Sequence, residues 1–271
     1  MQVVVADDCS KDDTRAIVLE YHERHPGLFK LVFQEKNVGP GRNFLDLYNA
    51  ADGKYIAYIE GDDYWTDPLK LQKQYNFLEA NPGFSLSYHK VLLQWDYEPE
   101  KKDAEGETNV NDKPVSTIHD LLKVGWFIRS CSMFFRNIPL PPDFEKLYVG
   151  DFPLHLLLAD KGDIGFINEC MAVYRIHQKG VSETVLLSKV IHKQRQNFRN
   201  VHTMLDYMNE HTGYKYDSEF RKRKVSNIYS HLKTIIKSDK AAFVKDLAYI
   251  LVTYPGLLTS QVLRGITRSK N

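Results

Sequence analysis

The run Tyr55 to Ile59 (YIAYI) is strand-like and ends directly in Glu60, Gly61 and two adjacent carboxylates, Asp62 and Asp63. A strand that closes on paired acids sets them at the carboxyl edge of a sheet, where open α/β folds bind ligands. Oxygen ligands at such an edge suit a hard divalent cation, Mg²⁺ or Mn²⁺, which usually shares a few carboxylates with substrate phosphates. Alone, the motif reads equally well as a solvated acidic turn, because short acidic motifs recur by chance.

A second acidic strand end argues against chance. Val3 to Ala6 form a buried-type strand closed by Asp7 and Asp8. Ser10 and Asp13 then read as a capping box opening a helix, with Ile17, Val18 and Tyr21 on one face. The same order of strand, acid and helix recurs from Tyr55 to Asn81, with Pro68 in the first helical turn and Leu71, Tyr75 and Leu78 as its stripe. Between the two units lie a strand (Leu31 to Gln34) and a helix (Arg42 to Ala51), a pattern that predicts a parallel nucleotide-binding sheet.

DDCSKDDT, NVGPGRNF at Asn37 to Phe44, EGDDYWTDPLKL and YRIHQKGVS at Tyr174 to Ser182 resemble, in order and spacing, the successive motifs of family 2 glycosyltransferases of the GT-A fold. The resemblance covers roughly the first 185 residues. It implies an α/β fold, a Rossmann-like mixed, mostly parallel sheet, over residues 1–185, followed by a helical C-terminal extension over 186–271. It also implies a metal-dependent, inverting transfer from a nucleotide diphosphate sugar, a UDP-sugar, to a saccharide or lipid-linked acceptor in surface polysaccharide or glycolipid assembly.

Residue by residue, the resemblance assigns Asp8 to the nucleobase; its alternative role is to compensate a helix dipole. Arg42, matching the NxGxxxARN-like segment with Asn37, Gly39 and Asn43, would face the nucleotide, or be a solvated base in a first turn. Asp62 would face the ribose, and Asp63 would coordinate the metal. Tyr64 and Trp65 would wall the sugar, unless they anchor the core. Asp151 in VGDFPLHLLLADKG matches the ED-like motif, with Gly150 in place of the first acid, and would be the base; the alternative is an N-cap. Arg175 and His177 share a strand face by the two-residue period. His177 would complete the metal or phosphate site or be structural, and Lys179 is a weaker phosphate candidate.

Lysine plus arginine number 36 against 35 acids, which gives no whole-chain signal for nucleic acid. Cys9, Cys131 and Cys170 lack CxxC spacing, so neither disulfide nor zinc is expected, and Cys131 in RSCSMFFRN reads as a small buried residue. No secretory leader and no 18-residue apolar run are evident, so the expected place is cytoplasmic. Helices expected near residues 189–210 and 218–237, then the apolar stretch 247–258 and the basic Arg264, Arg268 and Lys270, allow peripheral contact with the inner face of the plasma membrane. Residues 96–114 are too polar for core and read as an excursion.

Two rival readings exist: a nucleotide-sugar-binding protein with impaired catalysis, and a phosphoacceptor receiver module suggested by VVVADD, Asp62 and Lys113-Pro114. The receiver fails in context, since Lys113 follows no apolar strand. One expectation concerns the start of the chain. The family's strand before the DDGS-like motif, with its turn and helix, has no counterpart ahead of Val3, so the sequence is expected to be an amino-terminally shortened version of a longer protein, or the strands ending at Asp7 and near Ile59 are expected to pair directly.

Overall fold

The computed structural model describes residues 1–96, 104–106, 113–147, 151–177 and 191–258. Gly150, Lys179, most of the polar segment 96–114 and the basic residues beyond 258 lie outside the described residues. Strands β1 (Val3–Asp7) and β2 (Phe29–Phe33) pair in parallel as a two-stranded sheet, joined by α1 (Thr14–Arg24). Helix α2 (Pro40–Asn49) follows and packs against β1.

The second sheet has seven strands: β3 (Tyr55–Ala57), β4 (Tyr64–Trp65), β5 (Phe84–Trp95), β6 (Ala104–Gly106), β7 (Val115–Ser116), β8 (Phe134–Arg136) and β9 (Asp163–Ile176). Its main path runs β3-β8-β5-β9-β4. The long β5 and β9 lie parallel along most of their length, from Phe84 opposite Asp163 to Trp95 opposite Ile176. The other pairings in this sheet are antiparallel. The fold is α/β with a mixed sheet, as expected, but the pairing is not mostly parallel as expected: among the described residues only β1–β2 and β5–β9 run parallel. The two acidic strands therefore belong to different sheets: β3 takes β8 as its antiparallel partner, and it does not close on β1.

Helix α3 (Lys70–Ala80) covers β5 and β8, and α5 (Phe152–Lys161) covers β5 and β9 from the principal core; α4 (Ile118–Val124) packs on α5. Helices α6 (Ile191–His211), α7 (Asp217–Ser238) and α8 (Lys240–Thr253) form the C-terminal layer. Met204, Leu205 and Phe220 of that layer sit in the same apolar cluster as Leu86, Tyr88 and Leu156.

Two helices differ from their sequence patterns. The buried face of α3 is Lys70, Gln74 and Leu78, while Tyr75 is exposed. Polar groups can occupy that face because they are satisfied there: Lys70 Nζ donates to Gln74 Oε1 at 2.7 Å and lies 4.3 Å from the Trp65 ring centre, and Gln74 Nε2 donates to Ser132 O at 2.9 Å. In α1 no residue is buried, and Ile17 and Tyr21 stand in solvent because the two-stranded sheet offers the helix no deep surface. The Ser10–Asp13 capping box does not form. The Ser10 N–H donates to Asp7, and Asp12 accepts from the N–H and hydroxyl of Thr14.

Candidate active site

After β3 the chain leaves the sheet and turns tightly at Glu60 to Asp63, closed by the Asp63 N–H donating to Glu60 O at 3.2 Å. It re-enters as β4, whose Tyr64 and Trp65 lie opposite Val173 and Ala172 of β9. The turn thereby packs against the carboxyl end of β9. The Arg175 N–H donates to Asp63 Oδ1 at 2.9 Å, and His177 Nε2 meets Asp62 Oδ2 at 2.9 Å. The two positions therefore reach the turn by different means, Arg175 at the end of β9 through its backbone and His177, just beyond the strand, through its ring. The Arg175 guanidinium itself pairs with Asp96 at 2.6 Å.

Glu60, Asp62 and Asp63 each offer a carboxylate oxygen within 4.8 Å of the others. Asp63 is only 9% exposed, and among the described residues no nitrogen or oxygen donor reaches its buried Oδ2; the Cys131 thiol, a weak donor, lies against the same carboxylate. Burial raises its pKa to about 6, with the charge of Asp62 adding to the rise and the Arg175 N–H, the Cys131 thiol and Arg129 opposing it. Glu60 is pushed up to about 7 by desolvation of its carboxyl and by the like charges of Asp151, Asp62 and Asp63. As a residue Glu60 is exposed, which argues for discounting desolvation, but the three neighbouring charges push the same way and fix the direction as upward.

These donors fit a hard divalent cation. They are oxygens, they converge, and one of them is buried and unpaired at a group whose charge is costly without a counter-ion.

Asp151 stands at the N-cap position of α5 but makes no capping hydrogen bond. Its carboxylate is felt by Glu60, and its Oδ2 lies 3.5 Å from Nε2 of the fully buried His155 one turn on. Ser130 Oγ reaches Glu60 Oε2 at 3.4 Å. Beside Asp151, the exposed Trp126 stacks on Phe152 with ring centres 4.3 Å apart.

The structure does not gather every sequence candidate here. Both carboxylate oxygens of Asp8 accept backbone N–H groups, from Val38 at 2.6 Å and Gly39 at 2.9 Å, so the acid braces the loop leading into α2. Gly39 there has φ 85°, a left-handed conformation that glycine alone adopts without strain. Arg42 pairs with Asp46 and Glu145 at the rim of a shallow depression of about 450 Å³ lined also by Val38, Gly39 and Lys146. Trp65 lies partly buried against Val91, Cys131 and Ala172 and donates its indole N–H to Cys131 O at 3.0 Å, an anchoring role. Cys131 is buried, as its surroundings in the sequence suggested. Sequence reasoning assigned no role to Glu60, Ser130, Trp126 or His155. Glu60, two residues before Asp62, was the one with a visible signal.

Residues 1–138 match the model of the family described as glycosyl transferase family 2. The chain belongs to that family. An uncharacterized protein of Mycobacterium tuberculosis is 38% identical to this chain over 182 residues, 67% of this chain and 51% of its own length. The chain thus spans about half the length of that relative. TuaG of Bacillus subtilis, named as a glycosyltransferase of teichuronic acid biosynthesis, is 29% identical over 189 residues, 67% of this chain and 69% of TuaG. Staphylococcus aureus TarS residues 1–349, solved in complex with UDP, superposes with a TM-score of 0.51 at 16% identity, over 86% of this chain and 71% of that one, a likeness of fold. Family membership sets the receiver-module alternative aside.

Proposed function

We propose that this glycosyltransferase moves a sugar from a nucleoside diphosphate sugar, a UDP-sugar, to a saccharide or lipid-linked acceptor, with inversion at the anomeric carbon, in surface polysaccharide or glycolipid assembly at the inner face of the plasma membrane. The observation that carries the reading is the convergence of the Glu60, Asp62 and Asp63 carboxylates, one of them with a buried and unpaired oxygen, and the charge of Asp151 felt at Glu60.

Asp63, with Asp62 and His177 beside it, would hold Mg²⁺ or Mn²⁺. Such a cation, when bound, supplies Lewis-acid stabilisation of the charge that develops on the departing diphosphate, a contribution of several kcal/mol. Asp62 keeps the ribose side of the donor, positioned by its contact with His177. Asp151 takes the proton of the attacking acceptor hydroxyl at a carboxylate oxygen. Its freedom from helix capping leaves that oxygen available, with Nε2 of the buried His155 3.5 Å from Oδ2. Trp126 offers an apolar face on which an acceptor sugar can rest beside the base. Asp8 acts on the donor through the loop at Val38 and Gly39 that it braces, Arg42 faces the nucleotide from the rim of the depression beside that loop, Trp65 anchors the turn through its bond to Cys131 O, and the Arg175 backbone N–H holds Asp63 in place.

The test is release of nucleoside diphosphate from a panel of UDP- and GDP-sugars with Mn²⁺ and with chelator. Cation-dependent release is expected, with a UDP-sugar preferred. Cation-dependent binding with no turnover of any donor would replace the reading by that of a sugar-nucleotide-binding protein, and no binding at all would sink it.

A further inference from the structure

Helix α8 is apolar on both sides, and only one side is used inside the protein. Ala242, Asp246 and Ile250 face inward, and Asp246 Oδ1 and Oδ2 tie the helix to Arg195 of α6 at 2.7 Å and His231 of α7 at 2.8 Å. Ile250 joins Ile228 and Leu232 in a second apolar cluster. The helix is therefore fixed, and its outer face is a preformed surface.

That outer face carries Val244, Leu251 and Val252, exposed at 63%, 50% and 83%, with Ala241 and Ala248 between them. At about 100° per residue the five fall within roughly 100° of arc. Lys240 borders the stripe on one side and Lys245 on the other, both exposed. No acid lies on this face: Asp239 caps the helix by accepting from the N–H groups of Ala241 and Ala242, and Asp246 is buried. Nor does the sequence hold any Asp or Glu after Asp246, while Arg264, Arg268 and Lys270 follow.

We infer that the outer face of α8 docks on an anionic lipid bilayer, with Val244, Leu251 and Val252 entering the interface and Lys240 and Lys245 reaching the headgroups. A stripe of this width flanked by lysines is the pattern of a helix lying in the membrane plane, and no described helix is long and apolar enough to cross a membrane. A second copy of the chain is a poorer occupant. In a two-fold contact of this face with itself, both α8 charges that border the stripe, Lys240 and Lys245, are positive, so lysine meets lysine. The inference deepens the membrane-face placement proposed above, but it rests on α8 and not on the sugar chemistry.

The experiment is co-sedimentation of the full 271-residue chain with phosphatidylcholine vesicles with and without phosphatidylglycerol. The chain is expected to sediment with the anionic vesicles alone, less so as salt rises. The double variant Leu251→Asp/Val252→Asp is expected to bind at least about tenfold more weakly, and Lys240→Gln and Lys245→Gln to cost about fivefold each. Turnover on a soluble acceptor stays at the parent level in all of them, which separates failure of the surface from failure of the catalytic reading. Should the aspartate pair unfold the chain, the exposed lysine variants carry the test. Absence of sedimentation at low salt, or binding unchanged by the substitutions, overturns the proposal. So does a dimer of the parent chain that the aspartate pair dissociates, which would assign the face to a second copy.

Discussion

Asp63 is held by a backbone N–H on one oxygen and left without a nitrogen or oxygen donor on the other, so its charged form is costly in the protein alone. With its pKa near 6 and that of Glu60 near 7, the cluster takes up protons around neutral and mildly acidic pH. Protons and cation compete for the same oxygens, so Mn²⁺ affinity is expected to rise steeply from about pH 5.5 to about pH 7.5, measured by calorimetric titration. Stability without metal moves the other way. Both acids are raised above the ordinary carboxylate range, so the stability they contribute is fully present below about pH 4 and is lost as pH climbs through about 6 and 7. A metal-free melting temperature that rises over that window would contradict the environment described. Asp63→Ala is expected to weaken Mn²⁺ at least about tenfold, since supporting residues one shell further out already cost that much. Asp151→Asn is expected to keep donor affinity and lose about 10²- to 10⁴-fold in turnover, read from kcat and from donor Kd separately; parental turnover would reduce Asp151 to a structural residue. The acids of this site were legible because a strand run followed by paired carboxylates leaves a local signal. His155 and Trp126 were not, since one turn of spacing from Asp151 does not say that the His155 ring will be fully buried, and nothing in a loop tryptophan tells which distant ring it will meet.

At the level of elements, local pattern predicted existence better than facing. Both C-terminal helices expected from the sequence form, α6 and α7, yet α3 turns Lys70 and Gln74 inward where Leu71 and Tyr75 had the apolar pattern. The reason lies outside the helix: the Ser132 carbonyl and the Trp65 ring give the two polar side chains partners that no local pattern reveals. The β5–β9 pair depends on a similar non-local fit. At Gly162, between α5 and β9, a Cβ would fall 2.6 Å from Gly83 O and 3.0 Å from Ser85 N, backbone atoms that cannot swing away. The same crossing is fastened by Asp163 N–H to Gly83 O at 3.0 Å and by Ser85 Oγ to Gly162 O at 3.1 Å. Gly162→Ala is therefore expected to destabilise by about 1–3 kcal/mol through overpacking, measured by urea unfolding. A cost near zero would mean that the start of β9 can slide on β5 without loss.

Across the whole molecule, the division expected near residue 185 is best proposed as a boundary of ancestry and not of folding. Helices α6 and α7 send Val201, Met204, Leu205 and Phe220 into the cluster built by β5, α4 and α5, so the α/β layer without them would expose the middle of its own core. Separate domains keep separate cores, and few contacts cross their linkers. The chain is accordingly expected to unfold in one transition. Two probes can test this, because they report on different layers: the tryptophans at 65, 95 and 126 all lie in the α/β layer, whereas the three long helices α6 to α8 contribute much of the far-ultraviolet dichroism. Coincident fluorescence and dichroism melts are the expected result, and Phe220→Ala, which empties a fully buried site in α7, should shift both together by about 3–5 kcal/mol of stability. Two separated melts, with Phe220→Ala moving only the dichroism, would show that the helical layer is an independent domain resting on a self-sufficient α/β body.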